Sequence, residues 1–519
     1  MKKFICMILS LSMILSLFSG CSDNSGQNLE EKGQEQEAPS DGEDFKEVKF
    51  ASATDVSSLD PRDATGTTTA QVLSHIFSSL LKTNSEGAIE NDLAESYEIV
   101  NDTTWRFKLK DGITFHDGSK LTSDDVEYTI STIKDKEKKF KLSSDFSFMT
   151  VNVIDELNFE IITDSPFAAL PLRLNYIKII PKAYVEKVGD AEFAKSPVGS
   201  GPYKFVERKK DEKVVMEAYD DYFGGKPAID KVTFVVIPEA ASRIASLEAG
   251  DVDIIGNVET SQVSRLTSED KFSVVGSPTT RVIFMALNTL VDGPIQDVRV
   301  RQALNYAVDK KAIIEGVLDG YGAQIATIST PEYDGFDASI EPYEYNPEKA
   351  KQLLDEAGYP DGFEVDLSVT SGYLNGQDVA QAVAAQLGEV GVKCTVKEID
   401  SAAQREQISA GTVAPIYMNG IGGPYSNIDL VSKLSFCTGE RYSTYSNPEF
   451  DELRIKAAAT VNQEEADKLL SQLQMLAKEE APAIFMYQQY GLYAYNSNKV
   501  INWSPRVDEM IVVNDADLK

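Results

Sequence analysis

The sequence predicts a mixed α/β fold, on three observations. Short segments of alternating apolar and polar residues dominate the first half of the chain. From Asp297 onward helix, turn and strand patterns alternate, as in a βαβ-like lobe. The chain has 519 residues, 42% hydrophobic and 25% charged, which is globular material long enough to build more than one lobe.

The first segment addresses location. Lys2 and Lys3 form a positive n-region, Phe4 to Phe18 form an apolar run of about 15 residues, and Ser19-Gly20 supply the small residues of a cleavage site. A comfortable bilayer span needs roughly 20 residues, so this run is expected to be removed. Leu17-Phe18-Ser19-Gly20-Cys21 resembles the lipobox of bacterial lipoproteins, with Phe18 in place of the usual aliphatic residue. Cys21 is therefore the expected lipidation site. Ser22 to Asp44 is almost free of apolar residues and is expected to be a solvated tether. Together they imply a body held at the extracytoplasmic face of a bacterial cell membrane by a lipid anchor.

The body follows element by element. Val48 to Ala53 alternates as a short strand and Thr69 to Leu81 has helical spacing. Trp105 to Leu109 is a strand running into an Asp111-Gly112 turn. Asp297 is placed to cap a helix over Val298 to Val308, with Arg299 and Arg301 outside and Val300, Leu304 and Ala307 inside. Asn346 caps another, with Pro347 at its first position and Gly358 past its end. The Pro360-Asp361-Gly362 turn leads into a strand over Phe363 to Val369, and Asp378 to Val390 is helical again.

Charge and composition exclude several function classes. Formal net charge is −32, falling to −34 once Lys2 and Lys3 leave, and so acidic a chain repels nucleic acid and anionic lipid surfaces. No nucleic-acid partner is expected. Only His75 and His116 occur, neither in a ligand spacing, so a His-rich metal site or a Ser-His-Asp triad has almost nothing to build from. No metal and no cofactor are expected. G-x-S-x-G, H-E-x-x-H and Walker A are absent, and Gly420-Ile421-Gly422 fails as a dinucleotide loop because Tyr425 stands at the sixth position. Asp251-Val252-Asp253 with Gly256 fails as a calcium loop because Gln262 stands where a bidentate glutamate is needed. Cys394 and Cys437 are the two cysteines of the body; a disulfide and two buried free thiols both remain open, with free thiols preferred.

Five segments then carry a resemblance, in order along the chain. They are Ser58-Leu59-Asp60-Pro61; Thr114 to Thr122 before Asp124-Asp125-Val126; Pro197-Val198-Gly199-Ser200-Gly201-Pro202-Tyr203; Asp297 to Leu304; and Tyr445 to Asp451. From about Val48 to Trp503 the chain resembles the extracellular solute-binding proteins of the peptide/nickel family, family 5. These are the large receptors of ABC importers that include oligopeptide- and dipeptide-binding proteins.

The resemblance implies a bilobal, periplasmic-binding-protein-like α/β fold of type II in its large three-subdomain form. Two lobes are joined by a two-strand hinge that closes over a ligand. Residues 1–20 would be the signal and 21–45 the tether. Lobe I would take 46–287 and 488–519, with an inserted subdomain over about 90–195, and lobe II would take 288–487. The strands would cross near Met285 to Asn288 and Met486 to Gln489. No catalysis is implied. The expected function is capture of an oligopeptide or dipeptide and its delivery, by a monomer, to a membrane permease powered by its ATPases. Gly199, Gly201 and Pro202 would set a tight backbone path, and Arg299 and Arg301 would fix a helix start near the hinge.

The resemblance also nominates site residues. The loop Thr65-Gly66-Thr67 would offer backbone to an extended peptide. In peptide-binding relatives the second lobe has Gly-Trp and, three residues on, an Asp for the peptide amine. Here Gly420-Ile421-Gly422-Gly423-Pro424-Tyr425 puts Ile421 at the Trp and Pro424 at the Asp. The usual ammonium anchor is missing. Asp429 would serve in a shifted register. A peptide carboxylate would go to Arg441, and Tyr425, Tyr487 and Tyr490 fall near the inferred cleft. A metal chelate such as nickel's, an opine or a sugar-like ligand is the alternative cargo, and a surface sensor or adhesion lipoprotein the alternative class.

Overall fold

The computed structural model describes residues 45–519 except 85–86, 371–372, 424–426 and 514–516. The signal, Cys21 and most of the tether lie outside the described residues. One mixed sheet of eleven strands runs through the body. From one edge its strands are Val392–Glu398, Phe363–Val369, Ile416–Ile421, Phe272–Leu287, Ala483–Asn496, Ile254–Gly256, Glu47–Ser52, Lys231–Val236, Lys213–Ala218 and Tyr203–Lys209. Gly322–Gln324 pairs beside Ala483–Asn496. Phe363–Val369 and Glu47–Ser52 are each parallel to both neighbours, and the remaining pairs are antiparallel.

The two long central strands join two lobes. Phe272–Leu287 and Ala483–Asn496 pair antiparallel from Phe272↔Asn496 to Pro278↔Tyr490. The ladder then breaks over residues 279–281 and resumes at Val282↔Gln488. Before the break the second strand also pairs with Ile254–Gly256, and beyond it Val282 to Leu287 pair with Ile416–Ile421. Each strand therefore serves one lobe at one end and the other lobe at the other.

Separate cores stabilise the pieces. Val48, Phe50, Val72, Ile76 and Phe234 pack in the first lobe, and Met285, Leu304, Leu354, Val383 and Ile416 in the second. A four-stranded antiparallel sheet, Ala94–Asn101, Thr104–Leu109, Asn158–Thr163 and Met149–Val153, has its own core of Trp105, Phe107, Phe159 and Ile161 against Val126 and Ile130 of the helix Ser123–Lys134. Burying this apolar area is the main favourable term in each piece.

Local signals fold as their chemistry requires. Asp297 caps Val298–Tyr306 by accepting from Arg299 N–H at 2.8 Å, and Asn346 caps Pro347–Glu356 by accepting from Lys349 N–H at 2.9 Å. Arg301 departs from expectation. It is 4% exposed, not on an outer face, because its guanidinium donates to the carbonyls of Ile295, Gln296 and Glu480 and pairs with the Glu480 carboxylate at 3.1 Å. Arg299 stays outside on Asp297.

Gly199 and Gly201 are required by close approach. A Cβ on Gly199 would stand 2.0 Å from the Ile76 carbonyl oxygen, and one on Gly201 2.6 Å from the His75 carbonyl oxygen. His116 fastens the same loop, its Nε2 lying 2.9 Å from the Gly201 carbonyl and its backbone N–H donating to Gly199 O at 2.8 Å. Burial lowers its pKa to about 4, so it is neutral at pH 7. Cys394 and Cys437 are free thiols.

Candidate ligand-binding site

A cavity of about 420 Å3 lies where the hinge ladder breaks. That sits toward the lower end of the roughly 300–1,000 Å3 of small-molecule sites. Its walls come from both lobes and from the hinge. The first lobe contributes Thr65-Gly66-Thr67, Asp145, Arg173, Tyr176 and Lys178; the hinge contributes Arg281; the second lobe contributes Tyr373, Gln404, Arg405, Asn419 to Gly423, Arg441 and Tyr442.

Each wall is set by a specific contact. Thr65 exchanges hydrogen bonds with Ser57 Oγ, at 3.1 Å from its N–H and 3.0 Å to its carbonyl, and Gly66, at φ +91°, precedes the helix Thr67–Ile76. Only glycine takes that conformation without strain. Asp60 and Arg62 brace the loop from below: Arg62 is fully buried, binds Asp60 through two hydrogen bonds of 3.0 and 2.7 Å, and reaches Asp190 at 2.7 Å. The Ser58 to Pro61 motif is thus a brace behind the wall.

On the opposite side Gly420 donates to Tyr373 Oη at 3.0 Å, and Tyr373 reaches Asn419 Oδ1 at 3.3 Å. A Cβ on Gly422 would lie 2.3 Å from Arg281 Cα. The end of Ile416–Ile421 thus reaches the hinge strand only through glycine. Gly423 then exchanges hydrogen bonds with Thr280 Oγ1, at 3.2 Å from its N–H and 3.0 Å to its carbonyl.

The lobes touch around the cavity. Ala168 N–H donates to Ala458 O at 2.9 Å, and Asn375 Nδ2 lies 3.3 Å from Thr260 Oγ1. This is a closed arrangement.

The electrostatics are uneven. Arg281 binds Glu509 through two 2.9 Å hydrogen bonds; burial opposes its charge, but the adjacent carboxylate outweighs burial and raises its pKa. Burial lowers Lys178 to about 8, against the pull of Asp92 and Asp508. Asn419 Nδ2 and Gln404 Oε1 are buried without a hydrogen-bond partner among the described residues. Among the described residues no group of three His, Cys, Asp or Glu side chains is arranged to hold a metal.

The family model of bacterial extracellular solute-binding proteins, family 5 (middle), matches residues 88–442, more than half of the chain. The chain belongs to this family. Heme-binding protein A of Haemophilus influenzae is 31% identical over 429 residues, covering 76% of this chain and 78% of that one. The glutathione-binding protein GsiB of Pectobacterium atrosepticum is 28% identical over 489 residues, covering 91% and 94%. Among solved structures, the periplasmic binding protein DppA of Helicobacter pylori in complex with the peptide STSA aligns with a TM-score of 0.79 at 25% identity, covering 91% of this chain and 98% of that one. Members of the family are substrate-binding proteins, and the bilobal α/β architecture is theirs.

Within this family 5 protein, the nominated residues divide. Thr65, Gly66, Thr67, Gly420, Ile421, Gly422 and Arg441 all line the cavity. Tyr487 does not: it is 1% exposed in the second-lobe core, its ring packed among the apolar side chains behind the wall. Pro424 and Tyr425 lie outside the described residues. Asp429 is off the wall and bound to Arg454 at 2.7 Å. Sequence reading missed Asp145, Arg173, Lys178, Arg281 and Arg405. Only Arg281 left a signal, as a lone charge inside an apolar hinge strand.

Proposed function

We propose that this chain is the lipid-anchored extracytoplasmic receptor of an ABC importer, and that it closes its lobes over a short peptide and presents it to the permease. The observation that carries this is the cavity itself, walled by both lobes at the break in the two hinge strands. A ligand there touches both lobes only when they are closed, so binding energy becomes closure. The lobe change is assigned to Thr279–Arg281 and Gln488–Gln489, where the ladder breaks, with Phe45 to Pro278 and the C-terminal tail in the first lobe. Thr65 and Gly66 are exposed on the wall, and the Gly66 N–H is offered to a peptide main chain, the Thr65 N–H being held by Ser57. Asp145, the one carboxylate on the described walls, receives the α-amino group in place of the missing anchor.

Native mass spectrometry of the detergent-solubilised full-length protein tests this. A single chain carrying a ladder of peptide masses is the expected result. One non-peptide mass refutes the peptide assignment, and an empty protein that binds no peptide refutes the receptor assignment.

A further inference from the structure

The described walls carry five cationic side chains, Arg173, Lys178, Arg281, Arg405 and Arg441, against one carboxylate, Asp145. In a chain of net charge −32 this inverts the average. Two of the five are balanced from behind the wall, Arg281 by Glu509 and Lys178 by the buried Asp92 and by Asp508. Arg173, Arg405 and Arg441 have no carboxylate within ion-pair distance among the described residues. Ser371-Gly372 and Pro424-Tyr425-Ser426, which follow Thr370 and Gly423 in sequence, bring none.

Arg173 is 9% exposed. A nearly buried arginine whose guanidinium opens on the cavity with no counter-charge beside it is a good partner for a planar carboxylate, which accepts its fork of donors. The helix Thr67–Ile76, which begins on the wall, has no side-chain cap at its positive end.

These three arginines come from both lobes; Arg173 is nearly buried, whereas Arg405 and Arg441 are exposed at the cavity rim, Arg441 lying over the Tyr442 ring. Arg173 sits on the first-lobe helix Leu170–Tyr176, Arg405 on the second-lobe helix Ser401–Ser409, and Arg441 beyond the helix Ile428–Phe436. Asp145, Arg441 and Arg173 all bear electrostatically on Tyr176, so closure gathers two cations around a single carboxylate and leaves an excess of positive charge. That opposes the empty closed form, and an anion bridging the lobes reverses the sign.

We propose that the ligand is a small molecule with at least two carboxylates, one held by Arg173 of the first lobe and another by Arg405 and Arg441 of the second. This rests on the cavity being the ligand site. An acidic peptide and a non-peptide polycarboxylate share this chemistry.

The test is calorimetric titration of the ligand-stripped full-length protein with Glu-Glu, Gln-Gln, Lys-Lys and citrate, together with methyl esterification of whatever co-purifies. Expected are binding of Glu-Glu or citrate with Gln-Gln and Lys-Lys at least ~30-fold weaker, and two or more ester increments on the extracted ligand. Glu-Glu above citrate identifies a peptide source, and the reverse a non-peptide acid. Arg173→Met should weaken the bound anion at least ~30-fold at an unchanged urea midpoint, with Arg173→Lys recovering part of the loss. Gln-Gln or Lys-Lys binding as tightly as the acids, or a ligand with fewer than two carboxylates, overturns the proposal while leaving the receptor intact. No binding by any probe and no co-purified molecule removes both.

Discussion

Breaking the Arg281–Glu509 pair should destabilise the hinge by an amount the structure sets. The two side chains are 21% and 12% exposed and share two hydrogen bonds of 2.9 Å. The pair is one of several ties holding the C-terminal tail: Thr280 N–H donates to Val507 O at 2.8 Å, Gln71 Nε2 donates to Glu509 O at 2.7 Å, and Arg506 donates to Thr83 O at 2.7 Å. Through Gln71 the tail also grips the helix that carries Thr65 to Thr67 at its start. Removing one partner of a buried pair costs about 3–5 kcal/mol, and partial exposure of Arg281 brings the expected loss to about 2–3 kcal/mol for Glu509→Gln or Arg281→Met. Replacing both, as Arg281→Met with Glu509→Leu, leaves no unpaired charge and should recover most of that loss. Urea unfolding of the four proteins gives the coupling energy directly. A coupling below about 0.5 kcal/mol would mean that the pair is effectively solvated and that the tail is not locked to the hinge through it.

Gly201→Ala must push a Cβ against the His75 and Ile76 main chain at 2.6 Å, so a loss of about 3 kcal/mol or more is expected in urea unfolding; a near-neutral variant would show that the loop yields. His75 is 2% exposed, and burial, with the Lys178 charge acting in the same direction, lowers it to about 4. Between that value and the unfolded value near 6.5 the unfolded chain binds the extra proton. The His75 contribution is therefore full above 6.5 and falls as pH drops toward 4, by about 2 kcal/mol between pH 7.5 and 5. Unfolding at the two pH values measures the slope. His116, also lowered to about 4 by burial, adds a similar loss over the same range, so His75→Gln should flatten the measured slope by about 2 kcal/mol and leave the His116 share in place.

The bilobal α/β fold was legible through the family resemblance, and what the residues alone made legible was local. Asp297 and Asn346 cap their helices because an N-cap bond closes within three residues, and Phe363–Val369 is the strand that its turn and alternation describe. Arg301 was misread because a helical wheel knows nothing of Glu480, 179 residues away, whose carbonyl and carboxylate make burial tolerable. Tyr487 was misread for a related reason. Both faces of its strand are covered, and a register shift between Phe485 and Tyr487 puts these two residues in different second-lobe cores, so alternation does not say which side meets a cavity.

Composition misleads most where the function lies. Net charge governs how the protein meets large charged surfaces beyond a Debye length of about 8–10 Å, and there −32 repels nucleic acid and anionic lipid. Inside a cavity the nearest groups dominate, because low dielectric strengthens a contact pair several-fold over its value in water. Arg173, Arg405 and Arg441 are separated by up to 268 positions in an otherwise acidic chain, and no motif joins them. Only the fold, by bringing a short first-lobe helix against two segments of the second lobe, turns them into one site. The same acidic balance that excludes extended polyanions is therefore compatible with a small anion as cargo, provided that it is compact enough for both lobes to close over it.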